Sequence, residues 1–280
     1  MNIYKLLFIV LVLLGASIFA VSLGASAAPE TALPTPRPCP TCWHPPLKTS
    51  WQWQLSGLPV DTSLNVKMYD IDLFDNNASK VTTLHAKGIK VVCYMSAGSW
   101  EDWRPDAYKF PNSVKGKTLS GWPDEKWLDI RKISILAPIM RARMDKCTDK
   151  GFDGIEFDNV DGYTNNSGFL LTYQDQLKYN IFLANAAHAR GLSAALKNDN
   201  DQIYALAPYF DYALNEQCFQ YQECQNGKNS LVTNFINKGK AVFQVEYQLA
   251  ASQFCYKANS LNFNSMKKHL SLDKWRYPCR

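Results

Sequence analysis

The chain has 280 residues and a net charge of +5, with 30 lysines and arginines against 25 acidic residues. Its basic residues are dispersed rather than gathered into a block, which argues against a nucleic-acid partner. About 250 residues remain after the N-terminal segment, which is enough for one large core and is the usual size of an eight-stranded α/β barrel.

The first 28 residues are typical of a targeting segment. Lys5 precedes an uncharged run over 6–23, and Ala25-Ser26-Ala27 supplies the small residues of a cleavage site. We expect cleavage and secretion. A retained signal anchor is the alternative, because the run is long enough to span a membrane. A proline-rich linker is predicted over 29–48 and one catalytic domain over 49–280.

Eight cysteines, an even number, predict disulfides in an exported protein. Cys39 and Cys42 have the spacing of a redox or zinc motif. They lie in the proline-rich stretch with no strand before them and no second ligand pair, so we expect a structural disulfide or an exposed pair. Cys218 with Cys224, and Cys255 with Cys279, are the other pairings that we expect.

From residue 51 onward, predicted strands and helices alternate. We predict strands at 51–55, 66–74, 90–95, from 154 to the turn at 161–162, and at 192–196, 212–216 and 241–247. We predict helices at 78–87, 138–150 and 173–190, a short one ending at 208, and one at 231–238. The long stretch up to Trp127 is predicted as a loop. Residues 264–270 are assigned weakly to a helix, with a final strand near Leu272.

Alternation of this kind indicates right-handed β-α-β units and a parallel sheet. Seven strands and a weaker eighth favour an α/β fold of the closed (β/α)8 TIM-barrel type over an open sheet. No glycine-rich phosphate loop follows the first strand, which argues against a nucleotide-binding doubly wound fold.

The run Gly154–Tyr163 carries three acids in what should be a buried strand. Helices cover both faces of such a strand, so it should be almost purely hydrophobic. An ionised carboxylate there must be paired, neutralised or used in chemistry. Glu156, Asp158 and Asp161 are therefore candidate functional residues. The alternative is that one of them caps the next helix and another is a buried structural partner.

Polar and aromatic residues recur at the predicted strand ends, which converge on one rim of a barrel. Carboxylates can bind sugar hydroxyls or act as acids and bases, and aromatic faces can stack on sugar rings. These residues therefore predict a sugar site. The predicted substrate-binding residues are Asp70, Asp72, Tyr94, Trp100, Asp161, Tyr163, Lys197, Glu246 and Tyr247.

Hydrolysis of a glycosidic bond needs two carboxyl groups, one on each side of the bond. Asp158 and Glu216 end the fourth and sixth predicted strands, which places them across part of the barrel mouth. We expect them to be about 5 to 9 Å apart. The alternative for Glu216 is a structural hydrogen bond next to the disulfide loop.

Five motifs, in order along the chain, resemble glycoside hydrolase family 114. They are Trp51–Gly57, Tyr69–Phe74, Cys93–Gly98, Phe157–Tyr163 and Asn215–Cys218. The resemblance implies an endo-α-1,4-polygalactosaminidase on a (β/α)8 barrel. The family's catalytic aspartate falls on Asp158 and its glutamate on Glu216. The N-terminal cysteine-containing segment and the tail after Ala250 lie outside these motifs.

On this resemblance we expect a retaining mechanism with Asp158 as nucleophile and Glu216 as acid/base. The division of roles follows related α-glycosidase barrels that carry the nucleophile on the fourth strand. Asp70, Asp72 and Asp161 could pair with the ammonium groups of a galactosamine polymer. No cofactor or metal is expected, and we expect a monomer.

Two other function classes compete with this interpretation. A catalytically silent barrel could bind polysaccharide, although it would tolerate Asn or Gln at positions 158 and 216. A metal-dependent deacetylase would need a ligand cluster, and His85 and His188 fall in or near predicted helices, away from the strand ends. A serine hydrolase is disfavoured because the chain lacks a Gly-x-Ser-x-Gly elbow at Ser96–Ser99.

Overall fold

The computed structural model describes residues 33–280. The predicted signal peptide and the first residues of the predicted linker lie outside this part of the chain. Within residues 33–280, no helix has both the length and the apolar character that a membrane span requires.

The described chain contains twelve strands and six α-helices, joined by loops and short 3₁₀ turns. The strands are β1 Trp51–Gln54, β2 Met68–Asp72, β3 Lys90–Ser96, β4 Ser99–Glu101, β5 Lys115–Leu119, β6 Trp122–Leu128, β7 Gly154–Asp158, β8 Ser193–Lys197, β9 Tyr212–Glu216, β10 Val242–Glu246, β11 Asn264–Lys267 and β12 Tyr277–Pro278. The helices are α1 Ala78–His85, α2 Ile133–Asp149, α3 Tyr173–His188, α4 Ile203–Leu206, α5 Leu231–Asn234 and α6 Ala251–Ser260.

Eight of the strands form a parallel sheet in chain order, β1-β2-β3-β7-β8-β9-β10-β11, and β12 adds antiparallel to β11. The first and last parallel strands lie close to each other, as a hydrogen bond between them shows: the Trp51 indole donates to the Asn264 carbonyl at 2.8 Å. Leu55 N also donates to Leu272 O at 2.9 Å. The predicted (β/α)8 barrel is thus confirmed.

The eighth strand differs from the sequence prediction. Residues 264–270 were assigned to a helix, yet β11 occupies Asn264–Lys267 and pairs with β10 from Phe243 to Glu246. The helix of this unit is α6, which comes just before and was not predicted. Asn264, Ser265 and Met266 are all buried, which is typical of a strand covered on both faces.

The alternation of side chains along each strand separates the barrel interior from the outer shell. Trp53, Met68 and Leu214 belong to a buried apolar cluster inside the barrel. Residues of the opposite parity, such as Ile155 and Phe157 on β7, pack into the larger cluster that includes the helices. Glu156 and Asp158 therefore point inward.

The stretch predicted as a loop contains a small antiparallel sheet of order β4-β6-β5. The prediction failed because the segment shows no regular alternation: Lys115, Lys117 and Pro123 interrupt any apolar pattern. Pairing along β6 stabilises the sheet instead, with Ser99 opposite Trp127 and Thr118 opposite Lys126. The sheet leads from the end of β3 and covers part of the barrel mouth.

Helix α2 begins at Ile133, five residues before the predicted start at Pro138. Proline is most common in the first turn of a helix, which is where the predicted start places Pro138. The proline is instead accommodated inside the helix. Helix α3 begins where predicted, at Tyr173, because Thr172 and Asp175 form a capping box in which each side chain accepts from the other's backbone N–H.

The proline-rich segment predicted as a linker packs against the barrel. Arg37 N donates to Asn185 Oδ1 at 2.7 Å, and the Arg37 carbonyl lies 2.7 Å from His188 Nδ1. The Tyr209 hydroxyl donates to the Pro34 carbonyl at 2.7 Å. Residues 34–280 therefore form one compact unit.

Four disulfides close within the described chain: Cys39–Cys42, Cys93–Cys147, Cys218–Cys224 and Cys255–Cys279. The expectation of disulfides is confirmed, including the three pairings suggested by the sequence. The pairing of Cys93 with Cys147 was not predicted. It links β3 to α2 in the core, and both cysteines are fully buried.

Removal of the core disulfide should destabilise the protein more than removal of the N-terminal one. Closing a loop of 54 residues restricts the unfolded chain far more than closing one of 3 residues. The loop-entropy relation gives about 4 kcal/mol for Cys93→Ala/Cys147→Ala and about 1.6 kcal/mol for Cys39→Ala/Cys42→Ala. Urea unfolding of both double variants measures this difference, and equal losses would contradict it.

Candidate active site

A cavity of about 630 Å³ opens at the carboxyl ends of the parallel strands. Seven of the eleven residues predicted from the sequence line it. They are Asp72, Tyr94, Asp158, Asp161, Lys197, Glu216 and Tyr247. The two predicted catalytic carboxylates thus face one shared space.

The buried ammonium of Lys197 lies at the centre of this group. Its Nζ is 2.6 Å from Asp158 Oδ1 and 3.2 Å from Glu216 Oε2, so these two oxygens are at most about 5.8 Å apart, the sum of the two distances. Glu156 Oε1 is also 3.2 Å from Nζ, on the interior side. Lys197 is only 3% exposed, so this cation is fixed in place by β8 and its three carboxylate neighbours.

Asp158, at the end of β7, is held as a carboxylate. Burial alone would raise its pKa, but the Lys197 charge and the hydrogen bonds from Lys197 and Tyr94 outweigh burial and lower it. The Tyr94 hydroxyl donates to Oδ2 at 2.7 Å. Both oxygens therefore have a donor, while the side chain keeps 19% of its surface exposed to the cavity.

Glu216, at the end of β9, has partners on both oxygens as well. The Tyr247 hydroxyl donates to Oε1, and the Asn198 amide donates to Oε2 at 3.0 Å. Asn198 also accepts from Glu216 N at 2.9 Å, which fixes the strand end against its neighbour. The side chain remains 23% exposed.

The backbone turns sharply just after each of the three central residues. Asn159, Asn198 and Gln217 follow Asp158, Lys197 and Glu216, and their φ angles are 62°, 47° and 57°. Non-glycine residues in this left-handed region are uncommon and cluster at functional sites. All three turn residues line the cavity.

Gly98 has a direct steric reason to be glycine. Its N–H donates to the Asp158 carbonyl at 3.1 Å, and a Cβ at this position would lie 1.6 Å from the Asn159 carbonyl oxygen. The loop after β3 thus packs directly on the turn that positions Asp158.

Asp72 lines the cavity, but its carboxylate is occupied. Arg104 donates to both of its oxygens, at 2.9 Å and 2.5 Å, and also pairs with Glu101. Arg104 is 7% exposed, so this is a buried bidentate ion pair that ties β2 to the loop after β4.

Asp70 does not reach the cavity. It points into the barrel one layer below Asp72, is fully buried, and has no hydrogen-bond donor on either oxygen. Burial and the neighbouring Glu156 raise the pKa of Asp70 well above its ordinary value. It is part of the polar floor under the site.

Three other predicted residues also lie away from the cavity. Glu246 lies on the side of β10 that faces outward from the barrel, and there its carboxylate accepts a hydrogen bond from Phe219 N at 2.9 Å. Trp100 alternates with Ser99 and Glu101 on β4, and its ring packs against Lys115 Nζ at 4.1 Å. Tyr163 lies beyond the turn after β7 and borders a neighbouring pocket.

Sequence reasoning missed several residues that line the cavity. Glu125 on β6 was placed in a loop; burial raises its pKa to about 7, and Ser99 Oγ donates to it at 2.6 Å. Trp53, Trp122 and Trp127 were missed too, whereas Trp103, which also lines the cavity, follows the third predicted strand and fits the predicted sugar site. The density of tryptophan in the predicted loop was the available signal. Trp103 and Trp122 are 52% and 50% exposed, as expected of rings that meet a ligand.

A parallel α/β barrel that brings two carboxylates together in a tryptophan-lined cavity at its strand ends defines a glycoside hydrolase. The comparison with protein families agrees. The sequence model of glycoside-hydrolase family GH114 matches residues 33–280, and the chain belongs to that family.

Solved structures extend the comparison. Aspergillus fumigatus Ega3, in complex with galactosamine, is 41% identical, with a TM-score of 0.80 over 88% of this chain and 99% of that one. The glycoside hydrolase domain of PelA from Pseudomonas aeruginosa is 14% identical, with a TM-score of 0.63 over 83% of this chain and 98% of that one. TtGalA, an α-galactosidase from Thermus thermophilus, is 12% identical, with a TM-score of 0.51 over 80% and 58%. The last two show the fold alone. Among curated proteins, none matches the chain.

Replacement of Lys197 by Met should destabilise the fold strongly at neutral pH. The variant would leave Asp158, Glu216 and Glu156 together without their cation, and loss of one partner from a buried ion pair typically costs about 3–5 kcal/mol. Because the folded-state pKa of Asp158 is depressed, its stabilising effect is present at neutral pH and is lost as pH falls through that pKa.

The loss caused by Lys197→Met should be smaller at pH 5 than at pH 7, because the variant lacks the cation that lowers the pKa of Asp158, so its carboxylates take up protons at a higher pH and repel each other less. Urea unfolding at both pH values measures it. Lys178→Met, which removes an exposed lysine from α3, is the matched control and should change little. A Lys197→Met loss that is the same at both pH values would contradict the electrostatic origin.

Proposed function

We propose that the protein is a secreted endo-acting hydrolase of α-1,4-linked galactosamine polysaccharide. It would work by a retaining mechanism with Asp158 as nucleophile and Glu216 as acid/base. The supporting observation is that one buried ammonium, Lys197, holds both carboxylates in one cavity, with oxygens at most about 5.8 Å apart. Retaining glycosidases have carboxyl groups about 5–5.5 Å apart, and inverting enzymes about 6.5–9.5 Å.

In the first step Asp158 attacks the anomeric carbon as the bond to the leaving sugar breaks. Its lowered pKa keeps it ionised for this attack. Glu216 gives its proton to the leaving oxygen. The product is a glycosyl ester on Asp158 together with the released chain end.

In the second step the roles of Glu216 reverse. Its carboxylate takes a proton from a water molecule, and the water oxygen attacks the anomeric carbon and releases Asp158. Tyr247 and Asn198 hold the Glu216 carboxyl in position through both steps. Tyr94 and Lys197 do the same for Asp158, and the lysine charge stabilises the carboxylate as it leaves.

The proposed substrate is supported by the cavity and by the relative. Aspergillus fumigatus Ega3 was solved with galactosamine, and its chain aligns over 99% of its length. In this chain, Asp161 and Glu125 face the cavity without a salt-bridge partner among the described residues. Exposed Trp103 and Trp122 supply flat apolar faces at its edge. Anionic groups beside stacking platforms suit a sugar that bears an ammonium group.

The deacetylase alternative receives less support. Among residues 33–280, no group of three His, Cys, Asp or Glu is arranged to hold a metal ion. His85 and His188 instead pair with Asp153 and Asp211, outside the cavity. The binding-barrel alternative does not explain why Asp158 and Glu216 are both carboxylates held next to each other in one cavity. Secretion is supported by the four disulfides.

Asp158→Asn and Glu216→Gln should each reduce the release of oligosaccharides from α-1,4-galactosamine polymer by about 10²–10⁴-fold. Each change removes the acid or nucleophile and keeps the shape of the side chain. Product release is measured by chromatography of the digest. Asp149→Asn, an exposed aspartate at the end of α2, is the matched control and should retain full activity.

The wild-type digest also tests the stereochemistry. The reducing ends formed first should be α anomers by NMR. Equal release by wild type and both active-site variants would disprove the assignment, and absence of release by wild type would favour the binding-barrel alternative.

The affinity for free-amine substrate should fall as the pH is lowered through about 6. Burial and the Asp158 charge raise the pKa of Asp161 to about 6, so its negative charge is present above that pH and lost below it. A charged hydrogen bond contributes about 1.5–3 kcal/mol. The KM of wild type should thus rise about tenfold between pH 7 and pH 5, and that of Asp161→Asn should change much less. Parallel pH profiles for the two enzymes would refute a role for Asp161.

A further inference from the structure

Two acids inside the barrel take no part in the mechanism derived above. Asp70 on β2 and Glu156 on β7 both point inward, and β3 lies between their strands. Both residues are 0% exposed, and neither lines the catalytic cavity. They form the layer directly beneath Lys197, because Glu156 Oε1 is 3.2 Å from its Nζ.

The four carboxyl oxygens of this pair lack donors. Within residues 33–280, none of them accepts a hydrogen bond from an N–H or O–H group. Lys197 Nζ is near Glu156, but it donates to Asp158 Oδ1 at 2.6 Å. The side chains of Asp70 and Glu156 lie at hydrogen-bonding distance from each other. Because an ionised carboxylate can only accept, this contact is favourable only if one of the two carries a proton.

The charge balance around the pair leads to the same conclusion. Titratable groups face it from each neighbouring strand: Tyr94 on β3, Asp158 on β7, Lys197 on β8, Tyr212 and Glu216 on β9, and Tyr247 on β10. Among these described groups, Lys197 is the one cation. A single ammonium cannot compensate four ionised carboxylates at a site that excludes water.

We propose that Asp70 and Glu156 share one proton, and that the pair thereby directs the charge of Lys197 toward the two catalytic carboxylates and sets the pH range of catalysis. This inference rests on the proposed function. The proton supplies the O–H donor that the two side chains lack, and it leaves the pair with one negative charge instead of two. Both acids are positioning residues, since they act on the reaction through Lys197.

The electrostatics of the two acids support a shared proton. Burial raises the pKa of both; for Asp70 the neighbouring Glu156 adds to this effect, and for Glu156 the Lys197 charge opposes it. Two acids that interact so closely titrate as a pair, in two separate steps. The pair loses its first proton readily and retains the second, as two carboxyl groups at one site do.

The pair matters for catalysis because Glu156 and Asp158 compete for Lys197. A Glu156 with a full negative charge would draw the ammonium down into the barrel and away from the nucleophile. The shared proton weakens this competition, in agreement with the distances from Nζ, which are 2.6 Å to Asp158 and 3.2 Å to Glu156. The lysine charge therefore acts mainly at the strand ends.

The proton can be counted directly, without any substrate. The variant Asp70→Asn/Glu156→Gln keeps the shape of both side chains, and its two amides can pair without a buried charge. The infrared difference spectrum of the full chain at pH 7, wild type minus this variant, should contain the bands of one protonated carboxyl group and of one carboxylate. If the double variant folds poorly, wild type minus Asp70→Asn should show the protonated band alone. Absence of a protonated band, or two protonated groups, would overturn the proposal.

The two single variants should shift the pH profile of kcat in opposite directions. In Asp70→Asn the amide donates to Glu156, so the whole negative charge of the pair lies next to Lys197. A negative charge there raises the pKa of both catalytic carboxyl groups, and the profile should move up by about 0.5–1 pH unit. In Glu156→Gln the charge moves to Asp70, away from the ammonium, and the profile should move down by a similar amount. KM should stay the same in both, because neither residue lines the cavity.

Asp153→Asn is the matched control for a merely structural effect. Asp153 precedes β7 and pairs with Lys90, so its replacement should lower stability and leave the kcat profile in place. Shifts of both single variants in the same direction, or of neither, would contradict a shared proton, because two ionised acids would each lose a charge and two neutral acids would lose none. If wild type cleaves no polymer, the proposed function is rejected, and the infrared difference alone decides whether the proton is shared.

Discussion

The ion pair cluster around Lys197 is the interaction on which the barrel mouth depends. One ammonium lies within 3.2 Å of carboxylate oxygens from β7 and β9, which flank its own strand β8. Three acids this close together would repel each other strongly in a site with little water. The lysine allows Asp158 to remain ionised, and the excess charge is relieved where the pKa values of Asp70 and Glu156 are raised. The charged pair at the strand ends therefore lies above acids whose pKa values are raised.

The strand parity of a barrel explains why this cluster forms. Inward-facing residues alternate along each strand, so Asp158, Lys197 and Glu216 all project from strand ends toward the same axis. Below them the barrel is filled by aromatic and aliphatic side chains such as Trp53, Leu214 and Phe243. The apolar packing excludes water from beneath the site. Lys197 Nζ lies 5.0 Å from the Trp53 ring centre, where the charged layer meets the apolar one.

Sequence patterns predicted most of the barrel but not all of its details. Strands such as β3 and β9 have short apolar runs with clear ends, so their positions were predictable. The β4–β6 sheet was not, because cross-strand pairing rather than alternation stabilises it. The same limit applies to site residues: Glu246 and Tyr247 are adjacent in sequence, and an apolar run buried on both faces does not reveal which one points inward. Glu125 was missed along with its strand.

The net charge of +5 and the acidic character of the cavity have to be considered together. A polymer of ammonium-bearing sugars would be repelled weakly by the protein as a whole, and salt screens that field beyond about 8–10 Å. Recognition must therefore act at contact distance, through carboxylates that lack a cationic partner. Asp161 borders both the cavity and the neighbouring pocket, so the two spaces share one anionic wall. Its pKa of about 6 and that of Glu125, about 7, lie close to neutrality. Burial that strengthens these contacts thus also makes them sensitive to pH.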